Sequence, residues 1–177
     1  MSEYVTEAVV LGRRENGSSY NRFADLYTKE LGFVEARVVG GRRITSKLSP
    51  HLDFGNFSFV RLVHKNQFTV ADALTEERFF SGGSDIEAFL HFSHLAFLFR
   101  ELLPRLVPDA RMFEMLLWSL RRGEVNCRMF LSLFGYGTHA ECGHCGSSES
   151  HAFFVPNQHF LCESCSEGAP SRTIVVL

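Results

Sequence analysis

The sequence predicts an α+β fold: an N-terminal five-stranded barrel of OB-fold size, then an α-helical unit with an inserted four-cysteine, zinc-binding segment. Three observations predict it. Residues 1–80 consist of short alternating runs separated by turns. Longer apolar runs, the first of them free of glycine and proline, lie between residues 81 and 140, and residues 141–177 contain two CxxC pairs. These changes of pattern divide the chain into an OB-fold domain (1–80), a helical domain (81–140) and a zinc segment with the C-terminal tail (141–177).

Five runs in the first eighty residues have the length and composition of β-strands. They are TEAVVLG (6–12), YNRFADLYT (20–28), FVEARVV (33–39), FGNFSFVRLVH (54–64) and FTVADAL (68–74). Turn-forming residues separate the runs, which predicts a small antiparallel barrel or sandwich. An OB-fold is the usual match for this size. A five-stranded SH3-like barrel is the alternative, and periodicity alone does not separate the two.

Three helices are predicted after the barrel. They are IEAFLHFSHLAFLFRELL (86–103), PDARMFEMLLWSLRRG (108–123) and EVNCRMFLSLFG (124–135). Ser84 and Glu87 have the spacing of a capping box at the start of the first helix. That helix is apolar almost all round, so we expect it to be buried and to end before Pro104. Glycines stop the other two helices.

Two CxxC pairs give the strongest chemical signal in the chain. Cys142, Cys145, Cys162 and Cys165 are separated as in zinc ribbons, where a hairpin brings two tight turns together around one ion. Four thiolates favour a tetrahedral, structural Zn²⁺ with no open coordination position. The alternatives are four free or redox-active thiols, or a histidine in place of one cysteine ligand, since His144, His151 and His159 are near. Cys127 lies in a helical apolar pattern and is expected to be a core thiol.

A concentrated basic loop stands out in a chain whose formal net charge is -2. The loop GGRRITSK (40–47) carries Arg42, Arg43 and Lys47 without an acidic residue, and Gly40 and Gly41 allow the backbone to approach a ligand. Arg37 adds a fourth positive charge at the loop, and Arg14 and Arg22 lie on the neighbouring predicted strands. Together these six side chains could contact phosphates.

Aromatic residues on the same strands could add base stacking, which with the basic loop would suit single-stranded nucleic acid. The candidates are Tyr20, Tyr27, Phe33 and Phe57. Core packing is the alternative for most of them.

Several function classes lack their sequence signals. There is no Walker, GxGxxG, HExxH or GxSxG motif, so we expect a protein without catalytic activity. No secretory signal and no apolar run of about 20 residues is visible, so we expect no membrane partner. An odd number of cysteines, five, suits a reducing compartment, and we expect a cytoplasmic protein.

The order of these parts resembles the RecO family of bacterial recombination mediators. The first two strands (6–32) are similar to the start of the family's OB-fold, and GGRRITSKLSPHL (40–52) is similar to its glycine-and-basic loop. FGNFSFVRLVHKNQFTVADALTEERF (54–79) resembles the closing strands, and FLSLFGYGTHAECGHCG (130–146) resembles the approach to the first CxxC. Family members usually have further helices after this segment, whereas twelve residues follow Cys165 here.

The resemblance implies a non-catalytic DNA-binding protein. Such a protein binds single- and double-stranded DNA, anneals complementary strands and acts on strands coated by single-strand-binding protein. With RecR it helps to load RecA. The resemblance also implies that the six basic residues contact DNA and that the four paired cysteines hold zinc. The alternative function is a zinc-stabilised protein-interaction adaptor whose OB-like module does not bind nucleic acid.

Overall fold

The computed structural model describes residues 1–15, 20–80, 86–137, 141–171 and 173–177. The chain forms two compact units. The barrel unit comprises Met1–Phe89 and Pro104–Glu124, and the cysteine unit comprises Leu90–Leu103 and Val125–Leu177. The three consecutive domains expected from the sequence stay a prediction.

Five strands form the main sheet of the barrel unit, as the alternating pattern predicts. They are β1 (Ser2–Glu15), β2 (Arg22–Thr28), β3 (Gly32–Val38), β4 (Asn56–His64) and β5 (Phe68–Arg78). β1 extends beyond the predicted run because its start pairs with β4 and its end pairs with β2, and β5 extends because it pairs with β4 as far as Arg78. This pairing brings polar residues such as Ser2 and Glu3 into the strand, although they do not belong to an alternating apolar run.

The sheet closes into a barrel in the order β1-β2-β3-β5-β4. β1 pairs antiparallel with both β2 and β4, and a short parallel pairing of β3 with β5 completes the ring. One face of every strand lines an apolar interior that includes Val10, Leu26, Val34, Val60 and Leu62. A short 3-10 helix, Ser49–Leu52, adds the buried side chain of Leu52 to this interior.

One helix packs against the outside of the barrel in the same unit. It is α2 (Ala110–Arg122), numbered after α1 (Ile86–Leu102). The Asp109 side chain accepts a hydrogen bond from Met112 N at 3.0 Å, which fixes the start of α2. Its end follows from Gly123, whose φ of 69° provides a left-handed cap. The Phe113 ring of α2 lies 6.2 Å from that of Tyr27 and 6.5 Å from that of Phe57.

The cysteine unit combines helices with a small sheet. Its helices are most of α1, α3 (Cys127–Leu133) and α4 (Glu163–Glu167), and its strands are β6 (Ala152–Phe154), β7 (His159–Leu161) and β8 (Ile174–Val176). The sheet order is β7-β6-β8, with both pairings antiparallel. Phe99 of α1 packs its ring 5.7 Å from that of Phe130 on α3, which joins these helices in one core.

The three predicted helices are therefore present, with one difference in burial. α1 ends at Leu102, before Pro104, but its first turn is not buried: Ile86, Phe89 and Leu90 are exposed. The apolar pattern alone does not reveal which helical residues become buried. Ser84 of the expected capping box lies outside the described residues. Within the described ranges, no helix combines the length and apolar character needed to cross a membrane.

Candidate functional site

The basic loop runs from the end of β3 to the 3-10 helix and is built from successive turns. Gly40 adopts a φ of 65°, which glycine tolerates without strain. Arg43 N then donates to Gly40 O at 3.0 Å, and Ser46 N donates to Arg43 O at 2.9 Å. These bonds turn the chain sharply, so consecutive basic side chains project from a small region.

The start of β2 anchors the loop from the side. Gly40 N donates to the Asn21 side-chain oxygen at 3.1 Å, and Arg42 N donates to Tyr20 O at 3.0 Å. Both acceptors are neutral groups, so these hydrogen bonds fix the loop backbone without neutralising the charges of the arginine side chains. The loop thus has a defined geometry next to Tyr20.

Two adjoining depressions lie on this loop, and Arg43 belongs to the lining of both. The first has a volume of about 340 Å³, and the second has a volume of about 310 Å³. Arg22, Arg42, Ser46 and Ser49 also line the first. The second is lined by Tyr20, Asn21, Ser46, Lys47 and the adjacent loop residues. Cations and hydroxyl donors converge here, which is the chemistry that binds phosphate oxygens.

The structure brings four of the six predicted basic residues to these depressions: Arg22, Arg42, Arg43 and Lys47. Arg14 and Arg37 are not among the described residues that line either one. Arg37 is half-buried on β3, opposite Phe23 of β2. Arg14 lies on β1, also opposite Phe23, where acidic residues hold it.

An ion-pair network on the outside of the barrel engages Arg14. Its guanidinium donates to the buried carboxylate of Asp25 through Nη2 at 2.9 Å and through Nε at 3.2 Å and 3.3 Å. It also pairs with Glu35, which Arg105 Nη2 contacts at 3.3 Å. Hydrogen bonding to Asp25 and then to Glu35 raises the pKa of Arg14 above its already high value. Arg14 is thus a charged partner for a buried acid.

Three of the four predicted stacking rings are buried. Tyr27, Phe33 and Phe57 are 2%, 3% and 5% exposed, so the expectation that they face bases is wrong for the folded chain. Tyr20 is 68% exposed, and the Arg43 guanidinium lies 5.6 Å from the centre of its ring. This pair places a flat apolar surface beside the second depression.

The four paired cysteines form a cluster in the cysteine unit. The sulfur atoms of Cys142, Cys145, Cys162 and Cys165 all lie within 4.8 Å of one another, so a single metal ion could reach all four. The Sγ atoms of Cys145 and Cys162 are 3.7 Å apart, far beyond a disulfide bond of about 2.05 Å. Among the described residues, no histidine belongs to the cluster.

Local structure explains this convergence. The hairpin of β6 and β7 turns at Pro156 and Asn157 and returns the chain to the first CxxC. Gly143 N donates to Phe160 O at 2.9 Å, which ties that CxxC to β7. A side chain at Gly143 would clash with His159, because its Cβ would lie 2.8 Å from the imidazole ring.

The thiols in the cluster differ chemically from the fifth cysteine. Backbone N–H groups of Cys145 and Cys162 donate to the Cys142 sulfur and lower the pKa of that thiol to about 6. The thiolate is the form that binds metal. Cys127 is buried, its sulfur donates to His91 O at 3.7 Å, and burial raises the pKa of its thiol to about 12. Cys127 is thus the core thiol that the helical pattern predicts.

Several residues at the basic depressions were not predicted, among them Glu15, Ser46 and Ser49. Arg22 Nη1 donates to Ser49 Oγ at 3.3 Å. Glu15 is the cross-strand partner of Arg22 at the end of the β1–β2 hairpin. A correct register for that hairpin would have identified Glu15, whereas the serines carry no sequence signal of their own.

Comparison of the chain with family models and with curated proteins finds no match.

Proposed function

We propose that this protein is a non-catalytic DNA-binding recombination mediator similar to the RecO family. It binds single- and double-stranded DNA and anneals complementary strands. The observation that carries the proposal is the pair of adjoining basic depressions, in which Arg22, Arg42, Arg43 and Lys47 converge beside the exposed ring of Tyr20.

Phosphate contacts and base stacking make different contributions to the binding of a strand. Arginine and lysine side chains neutralise phosphates and release counterions, which supplies sequence-independent affinity. The Tyr20 ring, with Arg43 beside it, offers a surface on which a base of a single strand stacks. With phosphate charge reduced at the loop, a second strand approaches with less repulsion, and pairing needs no nucleotide hydrolysis.

We assign the barrel to the OB-fold on the basis of its strand pairing. Five strands close with β1 between β2 and β4, and this small closed architecture is typical of OB-folds. Tyr20 lies two residues before β2, and the loop between strands 1 and 2 is one of the loops with which OB-folds bind oligonucleotides. Arg42, Arg43 and Lys47 lie in the connection between β3 and β4, so only Tyr20 and Arg22 support the proposal through this feature of the fold.

The cysteine cluster holds a structural Zn²⁺ in this proposal. Tetrahedral Zn²⁺ with bonds of about 2.3 Å to sulfur requires sulfur atoms roughly 3.8 Å apart. The separation of 3.7 Å between the Cys145 and Cys162 sulfurs fits this requirement. Four protein ligands leave no position for a substrate, so the ion stabilises the fold and takes no part in chemistry.

The family resemblance supplies the proposed partners and place of action. The protein acts on strands coated by single-strand-binding protein, and with RecR it promotes loading of RecA, which it contacts indirectly. We place these events in the cytoplasm, where DNA is accessible in bacteria and thiols stay reduced.

Simultaneous replacement of Arg42 and Arg43 by alanine tests the DNA site. We expect the affinity for a labelled oligothymidylate to fall about tenfold at low salt, because two phosphate contacts are lost. The slope of log affinity against log salt should become shallower by roughly 1.4, at about 0.7 per single-strand phosphate contact. Fluorescence anisotropy titrations at several salt concentrations measure both quantities.

Arg61→Ala combined with Arg78→Ala is the matched control, since it removes two barrel arginines that line neither depression. Its affinity and salt slope should stay close to those of the parent protein. Equal losses in the two double variants would show that net charge, not the loop, governs binding. A parent protein that does not bind at low salt would refute the proposed function.

A second function is favoured by an exposed apolar patch on the barrel. Val5, Phe59 and Leu74 are 68%, 40% and 58% exposed, and Phe59 lies directly opposite Leu74 on neighbouring strands. Clustered exposed apolar side chains mark protein interaction surfaces. The alternative is therefore a zinc-stabilised adaptor, which predicts no oligonucleotide binding even at low salt.

A further inference from the structure

Glu15 lies at the edge of the first basic depression and contacts two of its arginines. Its Oε1 is 3.9 Å from Arg22 Nη2, and its Oε2 is 3.5 Å from Arg42 Nη2. One carboxylate thus spans both guanidinium groups, as two oxygens of a phosphate would. Cross-strand pairing with Arg22 holds the Glu15 backbone in this place.

The contacts of Glu15 are weak enough to be exchanged. Both distances exceed the 2.7–2.9 Å of a good charge-assisted hydrogen bond. The Glu15 side chain is 59% exposed, whereas those of Arg22 and Arg42 are 26% and 32% exposed. Exposed ion pairs contribute little free energy, so a better-placed anion displaces the carboxylate readily.

The other acid at this depression is already neutralised. Asp53 belongs to its lining and pairs with Arg13. Arg43 and Lys47, further along the loop, have no acidic partner among the described residues. An anion that displaces Glu15 therefore gains net attraction only if it extends to Arg43 and Lys47.

We infer that Glu15 is a specificity-determining residue that occupies the phosphate position between Arg22 and Arg42. A single phosphate that displaces the Glu15 carboxylate replaces one anion by another, so its binding gains almost no free energy. A chain of phosphates displaces Glu15 once and then gains the contacts at Arg43 and Lys47. The site consequently selects polyphosphate chains, such as a nucleic-acid backbone, over isolated anions. This inference rests on the proposed function, whose DNA site is the same depression.

The test compares Glu15→Gln with Glu3→Gln. Glu3 is the matched control because it is also an exposed glutamate on β1 and pairs with one arginine, Arg61, at 3.1 Å. Both variants remove one negative charge; Glu15→Gln releases Arg22 and Arg42 at the depression, whereas Glu3→Gln releases Arg61 outside it. The probes are inorganic phosphate and tripolyphosphate, by calorimetry, and labelled oligothymidylate, by anisotropy.

We expect Glu15→Gln to bind oligothymidylate about two- to fivefold more tightly than the parent, with a salt slope steeper by roughly 0.7. Its preference for tripolyphosphate over inorganic phosphate should narrow, because single phosphates no longer compete with the carboxylate. Glu3→Gln should leave affinity and preference unchanged.

The outcomes separate this inference from the proposed function. The role of Glu15 would be overturned if Glu15→Gln and Glu3→Gln bound each inorganic probe with the same affinity. It would also be overturned if neither variant bound either probe. If Glu15→Gln alone changes the binding of the inorganic probes while no protein binds oligothymidylate, the role of Glu15 stands and the DNA-binding function fails.

Discussion

Removal of metal is expected to unfold the four-cysteine segment while the barrel unit stays folded. The segment consists of short elements: β6 and β7 have three residues each, and α4 has five. Elements of this size do not hold together through their own hydrogen bonds. Structural zinc sites contribute on the order of 10 kcal/mol or more to folding, which exceeds the stability available to so small a sheet.

Tryptophan fluorescence reports on the barrel unit, and proteolysis and alkylation report on the cysteine unit. Trp118, the only tryptophan, lies on α2 in the barrel unit, so its fluorescence should change little when a chelator is added. Limited proteolysis should then cut between residues 141 and 167. Alkylation should label the four clustered cysteines quickly, whereas Cys127 should react only on complete unfolding because it is buried.

Paired alanine variants provide the control. Cys145→Ala should lose the metal and become sensitive to protease, because three thiolates bind zinc much more weakly than four. Cys127→Ala should retain one metal ion per chain by elemental analysis. A metal-free parent that resists protease equally with and without chelator would contradict a structural metal.

Replacement of Arg14 by alanine is expected to destabilise the barrel unit by about 2–3 kcal/mol. Asp25 is fully buried, and Arg14 supplies three hydrogen bonds to its carboxylate. Without Arg14, this charge stays in a low-dielectric position with less compensation. The half-exposed position of Arg14 keeps the cost below that of a fully buried pair. Urea unfolding followed by Trp118 fluorescence measures the change.

Arg61→Ala is the comparison, since Arg61 and its partner Glu3 are 44% and 49% exposed. Exposed pairs of this kind contribute about 1 kcal/mol at most. An Arg14→Ala variant no less stable than Arg61→Ala would contradict the structural role of Arg14. Weaker oligothymidylate binding by folded Arg14→Ala would instead support the phosphate contact expected from the sequence.

Arg14 and Arg22 were both predicted to contact phosphate, but only Arg22 lines a basic depression. The pairing of β1 with β2 shifts by one residue between Val10 and Gly12. Simple alternation from the core residue Val10 would point Arg14 into the barrel. The irregularity places Arg14 on the outer face instead, beside Asp25. An irregularity of this kind has no clear signature in one sequence, so the partner of Arg14 could not be predicted.

The prediction that Tyr27 and Phe33 stack on bases was wrong for a different reason. Alternation correctly separates Tyr27 and Phe33 from interior residues such as Leu26 and Val34. It cannot reveal that a helix more than eighty residues later covers the outer face at Tyr27, as Phe113 does. The cysteine cluster, in contrast, was predictable because two tight turns and one hairpin determine it locally.

Strand annealing is a direct test of the proposed mediator function. Complementary labelled oligonucleotides are mixed at low salt with the parent protein, with and without a coat of single-strand-binding protein, and pairing is followed by energy transfer. We expect faster pairing with the parent in both conditions, loss of the effect at high salt, and little effect with Arg42 and Arg43 replaced by alanine. Pairing at the protein-free rate under low salt would contradict the proposed function.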